Sequence, residues 1–215
     1  MAGIIPYCAT FTIFTDYMRG AIRIAALSQA GTIFVTTHDS IAAARPVRMA
    51  TDLRLLGLYL QQYDGYRRIF TSYFPVSMRF LEEFNEEHRR AKVGEDGPTH
   101  QPIETIPSLR LIPDLTVMRP ADGNETAGAY KYAVERSKNE SRPTMMAFSR
   151  QAVPNLPNSS IENTMKGAYE VIECAEPELI LIGTGSEVGL CVDAAKQLEK
   201  VRVVSMPSCE VFRAS

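Results

Sequence analysis

Tryptophan is absent from this 215-residue sequence, and histidine occurs only three times. The four cysteines, Cys8, Cys174, Cys191 and Cys209, never fall in a CxxC spacing. A zinc site therefore has few ligands to draw on, and no disulfide framework is outlined, which points to a reducing compartment. Charge of either sign is not in excess, because 23 Lys and Arg meet 25 Asp and Glu for a net charge of -2. Such a balance gives no basic field to gather nucleic acid. No apolar run approaches the roughly 18 residues that a membrane span needs. The opening MAGIIPYCATF lacks the charged-then-apolar order of a signal peptide and the shape of a transit peptide, so no targeting signal is read in this chain. Nucleic acid and membrane are thus excluded as expected partners. With 45% hydrophobic and 22% charged residues, what remains is the composition of a globular protein of one or two domains.

The densest chemistry sits in VGEDGPTHQPIE, residues 93–104. Glycines at 94 and 97 and prolines at 98 and 102 force an irregular backbone, so Glu95, Asp96, His100 and Gln101 are held by loop geometry rather than by a helix face. A loop with that much fixed polarity and so little to bury is suited to face a ligand.

Around it, the spacing predicts alternating strands and helices. DYMRGAIRIAALS, residues 16–28, sets Tyr17, Ala21, Ile24, Ala25 and Leu27 at helical intervals. Phe11, Phe14 and Tyr17 recur every three residues and form one aromatic stripe, an arrangement that more commonly belongs to a core. TIFVTT is a β-branched run suited to a buried parallel strand, delivering His38 and Asp39 to the sheet rim. LTVMRP and PTMMAFSRQ read as further strands, the second ending at Arg150, where a cation again meets the rim. Between them, Asp122 and Glu125 in ADGNETAGAY have the spacing of a helix capping box. VPNLPNSS, with two prolines among asparagines and serines, reads as a linker. ELILIGTGSEVGLCVDAAKQLEKVRVVSM is then a strand, glycine turn, helix and strand, the pattern of one parallel crossover. Gly183, Gly185 and Gly189 nearly spell a dinucleotide fingerprint, but the last interval is too long and no acidic residue follows at the right place.

Residues 42–92 differ from the rest, with nine Lys or Arg against six Asp or Glu and an abrupt start at AAARPVRMA. They end on FLEEFNEEHRRAK, which places Phe80, Leu81 and Phe84 on one side of a helix. This segment is read as an insertion.

Several of these segments, IPYCATFTIFTDYMRGAIRIAALS, TTHDSI, VGEDGPTHQPIE, RPADGNETAGAY, AFSRQ and LILIGTGSEV, resemble in the same order segments of the transketolase family, in particular the forms of plants, algae and bacteria. The resemblance covers nearly everything outside residues 42–92, where the family joins the equivalents of Ile41 and Val93 through a single glycine. It implies an α/β fold: a parallel-sheet thiamine-diphosphate-binding (pyrimidine) domain at residues 1–153, a linker at 154–166 and an incomplete C-terminal α/β domain at 167–215. Residues 42–92 are then an insertion or translated intron sequence. The activity it implies is transfer of a two-carbon ketol unit from a ketose phosphate to an aldose phosphate, in carbon fixation or the pentose phosphate pathway. Thiamine diphosphate would be the cofactor, between the subunits of a homodimer, in chloroplast or cytoplasm.

The resemblance also assigns roles. Phe11, Phe14 and Tyr17 correspond to the pocket for the aminopyrimidine ring, Asp96 to the aspartate that recognises a sugar hydroxyl, and His100 to the histidine beside the reacting oxygens. His38 and Arg150 correspond to a pair that holds the substrate phosphate. Mg2+ or Ca2+ would be held on the family's N-terminal domain through a GDG-type motif that does not occur here, so no metal ligand is assigned to this chain. The glutamate that activates the aminopyrimidine precedes the IPYCATF segment in the family, and by itself the chain is expected to be inactive. Two other readings stay open: a truncated, non-catalytic paralogue that pairs with full-length transketolase, and an enzyme resembling dihydroxyacetone synthase.

Overall fold

Four short apolar runs assemble into one parallel sheet in the computed structural model, which describes residues 4–39, 102, 104–150 and 152–214. The strands are β1 (Tyr7–Phe11), β2 (Ile33–Thr37), β3 (Thr116–Met118) and β4 (Thr144–Phe148), in the order β1-β2-β4-β3. Their register explains why the runs carry no charged side chains. Phe34 stands opposite Met145, which stands opposite Val117, and one residue further along Val35, Met146 and Met118 line up with their side chains on the other face. Both faces are covered, so both alternating sets must be apolar.

Helix α1 (Thr15–Leu27) and the short α2 (Thr105–Leu109) cover one face, where Ile22, Ala25, Ala26 and Leu109 pack on Phe34, Val117 and Met145. Helix α3 (Gly123–Glu140) covers the other, with Ala129 and Ala133 on Ile33, Met118 and Met146. The buried side of α1 is not the one its spacing predicts. Of the five expected positions only Ala25 is buried, whereas Tyr17, Ile24 and Leu27 are exposed. This helix is apolar on more than one side, so periodicity in one sequence cannot choose which side meets the sheet; the i, i+3, i+4 set of Ile22, Ala25 and Ala26 does.

The predicted capping box forms with one shift. Asp122 caps α3 by accepting from the Glu125 N–H at 2.8 Å, while Glu125 reaches back one residue beyond the cap to accept from the Ala121 N–H at 2.7 Å. The stretch read as a linker is packed rather than free. Leu156 is buried and its N–H donates to Asp122 at 2.8 Å, and α4 (Ile161–Thr164) lies on α3. Close approach requires Gly128 there, because a Cβ at that position would stand 2.5 Å from the Thr164 Cβ.

The predicted crossover follows as β6 (Leu179–Gly183), α5 (Glu187–Ala195) and β7 (Val201–Ser205), with Leu179 opposite Val201 in parallel. Strand β5 (Tyr169–Ile172), absent from the sequence reading, pairs antiparallel with β7 and completes a second sheet ordered β5-β7-β6. Its core of Tyr169, Val171, Val188, Val192, Val201 and Val203 reaches Ala121 and Leu156. Helix α6 (Cys209–Ala214) returns to the first sheet, where the Val117 N–H donates to Glu210 at 3.3 Å. The described residues of both sheets belong to one compact unit.

Candidate functional site

In a parallel sheet the carboxyl ends of all strands open on one rim, and loops leaving that rim are where such folds carry ligands. Phe11 closes β1, His38 and Asp39 follow β2, Arg150 lies just beyond β4 and Arg119 just beyond β3. Because Phe11 pairs with Thr37, Thr37 with Phe148 and Met118 with Met146, the ends of all four strands, and the five residues at or after them, are brought to one edge by register.

The aromatic stripe runs along this rim rather than into the core. A tight turn at Thr12–Phe14 joins β1 to α1 and puts the Phe11 and Phe14 rings edge to face, 5.7 Å apart. Tyr17, in the first turn of α1, follows at 6.1 Å from Phe14 and is 89% exposed. At the other end Phe11 meets the His38 ring edge to face at 4.9 Å. His38 therefore joins the stripe, a neighbour relation across two strands that spacing in the sequence does not reveal. Its φ of 65° is left-handed. For a residue other than glycine that conformation costs on the order of 1–3 kcal/mol and persists only where its surroundings hold it. Arg150 is exposed at the same rim. Asp96 and His100, the two expected catalytic residues, lie outside the described residues.

Beside His38 stands a cluster that the sequence reading missed. Asp39 is buried and its Oδ2 pairs with Arg119 Nε at 2.6 Å, with the Ser149 hydroxyl donating to the same oxygen at 3.4 Å. Its other oxygen, Oδ1, is buried without a hydrogen-bond partner among the described residues. Arg119 also pairs with Glu187 Oε2 at 2.7 Å, so one guanidinium bridges two carboxylates. Breaking a buried pair by removing one partner typically costs about 3–5 kcal/mol, because the other charge is left without compensation. The residues that meet are 80 positions apart in the chain, which is why no local pattern announced them.

A second buried carboxylate joins the two sheets. Glu125 is fully buried, and its Oε1 accepts from the Tyr169 hydroxyl at 2.7 Å and from the Ser205 hydroxyl at 2.5 Å. Burial pushes its carboxyl above the usual range, outweighing the three hydrogen bonds that favour the charge. Burial, and then the Glu125 charge, likewise push the Tyr169 phenol up, so it stays a donor. The thiols of Cys8 and Cys191 are also raised by burial, which makes them poor nucleophiles. Among the described residues no three His, Cys, Asp or Glu side chains stand together to hold a metal.

The architecture is that of an α/β protein in which a parallel-sheet domain with an aromatic and basic rim precedes a second, smaller α/β sheet. Residues 1–57 and 87–155 match the family model of the transketolase pyrimidine-binding domain, and residues 167–215 match that of the transketolase-like C-terminal domain. A transketolase of the cyanobacterium Nostoc is 48% identical over 99% of this chain, which covers 25% of that protein. The chloroplastic transketolase of Zea mays is 43% identical over 98% of the chain and is covered to 24%. A solved transketolase of Pichia stipitis in complex with sedoheptulose 7-phosphate superposes with a TM-score of 0.69 at 35% identity, over 97% of this chain and 24% of that one. The chain belongs to the transketolase family. It spans about a quarter of the length of the relatives it matches.

Proposed function

We propose that the protein carrying this chain transfers a two-carbon ketol unit between sugar phosphates with thiamine diphosphate. The observation that carries this reading is the continuous run Tyr17, Phe14, Phe11 and His38 along the carboxyl rim, with Arg150 just beyond the neighbouring strand β4, in a chain of this family. Edge-to-face rings with open surface fit a flat heteroaromatic ring, which gains from stacking and from exclusion of water. The described residues fit that ring end of the cofactor; the diphosphate and its Mg2+ or Ca2+ are assigned to another part of the family's architecture. When bound, the cofactor supplies the electron sink for breaking and making the carbon–carbon bond.

The residues of this chain bind and orient. Arg150 offers a planar fork of donors to a phosphate, and His38 offers a second donor from the adjacent strand. Asp96 is assigned to a sugar hydroxyl and His100 to the reacting oxygens. A homodimer is proposed as the working assembly and the chloroplast as a location, on the strength of relatives named chloroplastic. Residues 42–92 are proposed to carry an insertion; within them the family model leaves 58–86 unmatched, while 42–57 and 87–92 fall inside its match.

The test is a coupled assay of the protein that carries this segment, with xylulose 5-phosphate as donor and ribose 5-phosphate as acceptor. R150A and H38A are expected to raise KM for the phosphorylated substrates about ten- to a hundredfold with a smaller change in kcat, the pattern of a lost binding contact. Turnover with formaldehyde in place of ribose 5-phosphate would favour a dihydroxyacetone-synthase-like enzyme. No turnover with either acceptor, together with co-purification of a complete transketolase, would replace the proposal by a non-catalytic partner.

A further inference from the structure

Arg119 stands between the rim and the second sheet, and nearly everything that holds it comes from the second sheet. Nη2 pairs with Glu187 at 2.7 Å and Nη1 donates to the Thr184 carbonyl at 3.2 Å. The backbone N–H of Arg119 donates to the Pro207 carbonyl at 2.8 Å, and its carbonyl accepts from the Gly185 N–H at 3.0 Å. Gly185 sits at a φ of 60°, and a Cβ there would lie 3.0 Å from the guanidinium carbon, so a glycine lets the turn close on the arginine. Toward the first sheet Arg119 makes one strong contact, from Nε to the buried Asp39 at 2.6 Å. Asp39 is the residue after His38, whose left-handed backbone needs its neighbours to hold it.

We propose that Arg119 is a positioning residue: it carries the placement of the 184–187 turn through Asp39 to the His38 turn. The inference rests on the proposed function only for what His38 then binds. Two nitrogens of one planar group donate hydrogen bonds, to Asp39 and to the Thr184 carbonyl, while the third stands in charge contact with Glu187, so the strut depends on guanidinium geometry as well as on charge. A lysine keeps the charge but has one nitrogen to offer. The Glu187 end provides a second handle, because Glu187 belongs to the second sheet's helix α5 and pairs with Arg119, which in turn pairs with Asp39 beside His38.

The test is the imidazole carbon–proton resonance of His38 in the full chain, assigned with H38Q, in wild type, R119K and E187A, with inorganic phosphate as the titrant. Both variants are expected to shift the His38 resonance while the far-ultraviolet circular dichroism stays unchanged. R119K is expected to weaken phosphate binding about tenfold and E187A less. A His38 resonance at its wild-type position in folded R119K and E187A overturns the proposal. Should R119K fail to fold, E187A alone decides between the same outcomes. If phosphate leaves His38 unmoved in wild type while E187A still shifts its resonance, the positioning role stands and the sugar-phosphate reading of His38 fails.

Discussion

Glu125 carries the strongest consequence of any single side chain. Its folded-state pKa is raised, so the folded protein holds that proton more tightly than the unfolded chain does. The stability it contributes is therefore complete at pH below the ordinary glutamate range, and it is lost as pH rises through the raised value. The neutral amide of E125Q does not titrate. Urea unfolding of both proteins across acid to neutral pH is expected to show the wild type's advantage over E125Q shrinking as pH rises. A difference that grows with pH would mean the hydrogen bonds from Ala121, Tyr169 and Ser205 outweigh burial. The capping half of this residue's role was legible from its spacing to Asp122. Its second half was not, because Tyr169 and Ser205 are 44 and 80 positions away.

Among the elements, the α3–α4 contact is the tightest test of packing. Ala is ordinarily a better helix residue than Gly by about 1 kcal/mol. At position 128 the added methyl would meet Thr164 atoms at 2.5, 2.8 and 2.9 Å, so overpacking at a cost of about 1–3 kcal/mol decides the sign. G128A is expected to lower the melting temperature by several degrees, and to do so less in a T164G background. Strands β2, β3, β4, β6 and β7 were readable because each is a short run rich in apolar and β-branched residues. Strand β1 and the antiparallel β5 were not, since β1 buries none of its residues and the four-residue β5 buries only two, which leaves little pattern to read. For α1, composition predicted the helix and only packing against the sheet selected its buried side.

At the scale of the whole molecule, two buried carboxylates, Asp39 through Arg119 and Glu125 through Tyr169 and Ser205, tie the first sheet to the second. Residues 42–92 bear on the same scale, since they separate His38 from Asp96 in the chain. Intact mass of the native protein checks them: a species retaining them is expected if the segment is a true insertion, and a species lighter by their mass would identify translated intron sequence. From the sequence alone came the α/β class, the order of most strands and helices, the family, and the residue types along the rim. These are local matters, set by side-chain period, turn residues and contiguous motifs. Only the tertiary structure decided that the aromatic stripe faces outward and ends on His38, and that Arg119 braces the residue beside it. Those relations depend on strand register and on contacts between distant residues, and nothing in a one-dimensional pattern encodes which buried charge will find which partner.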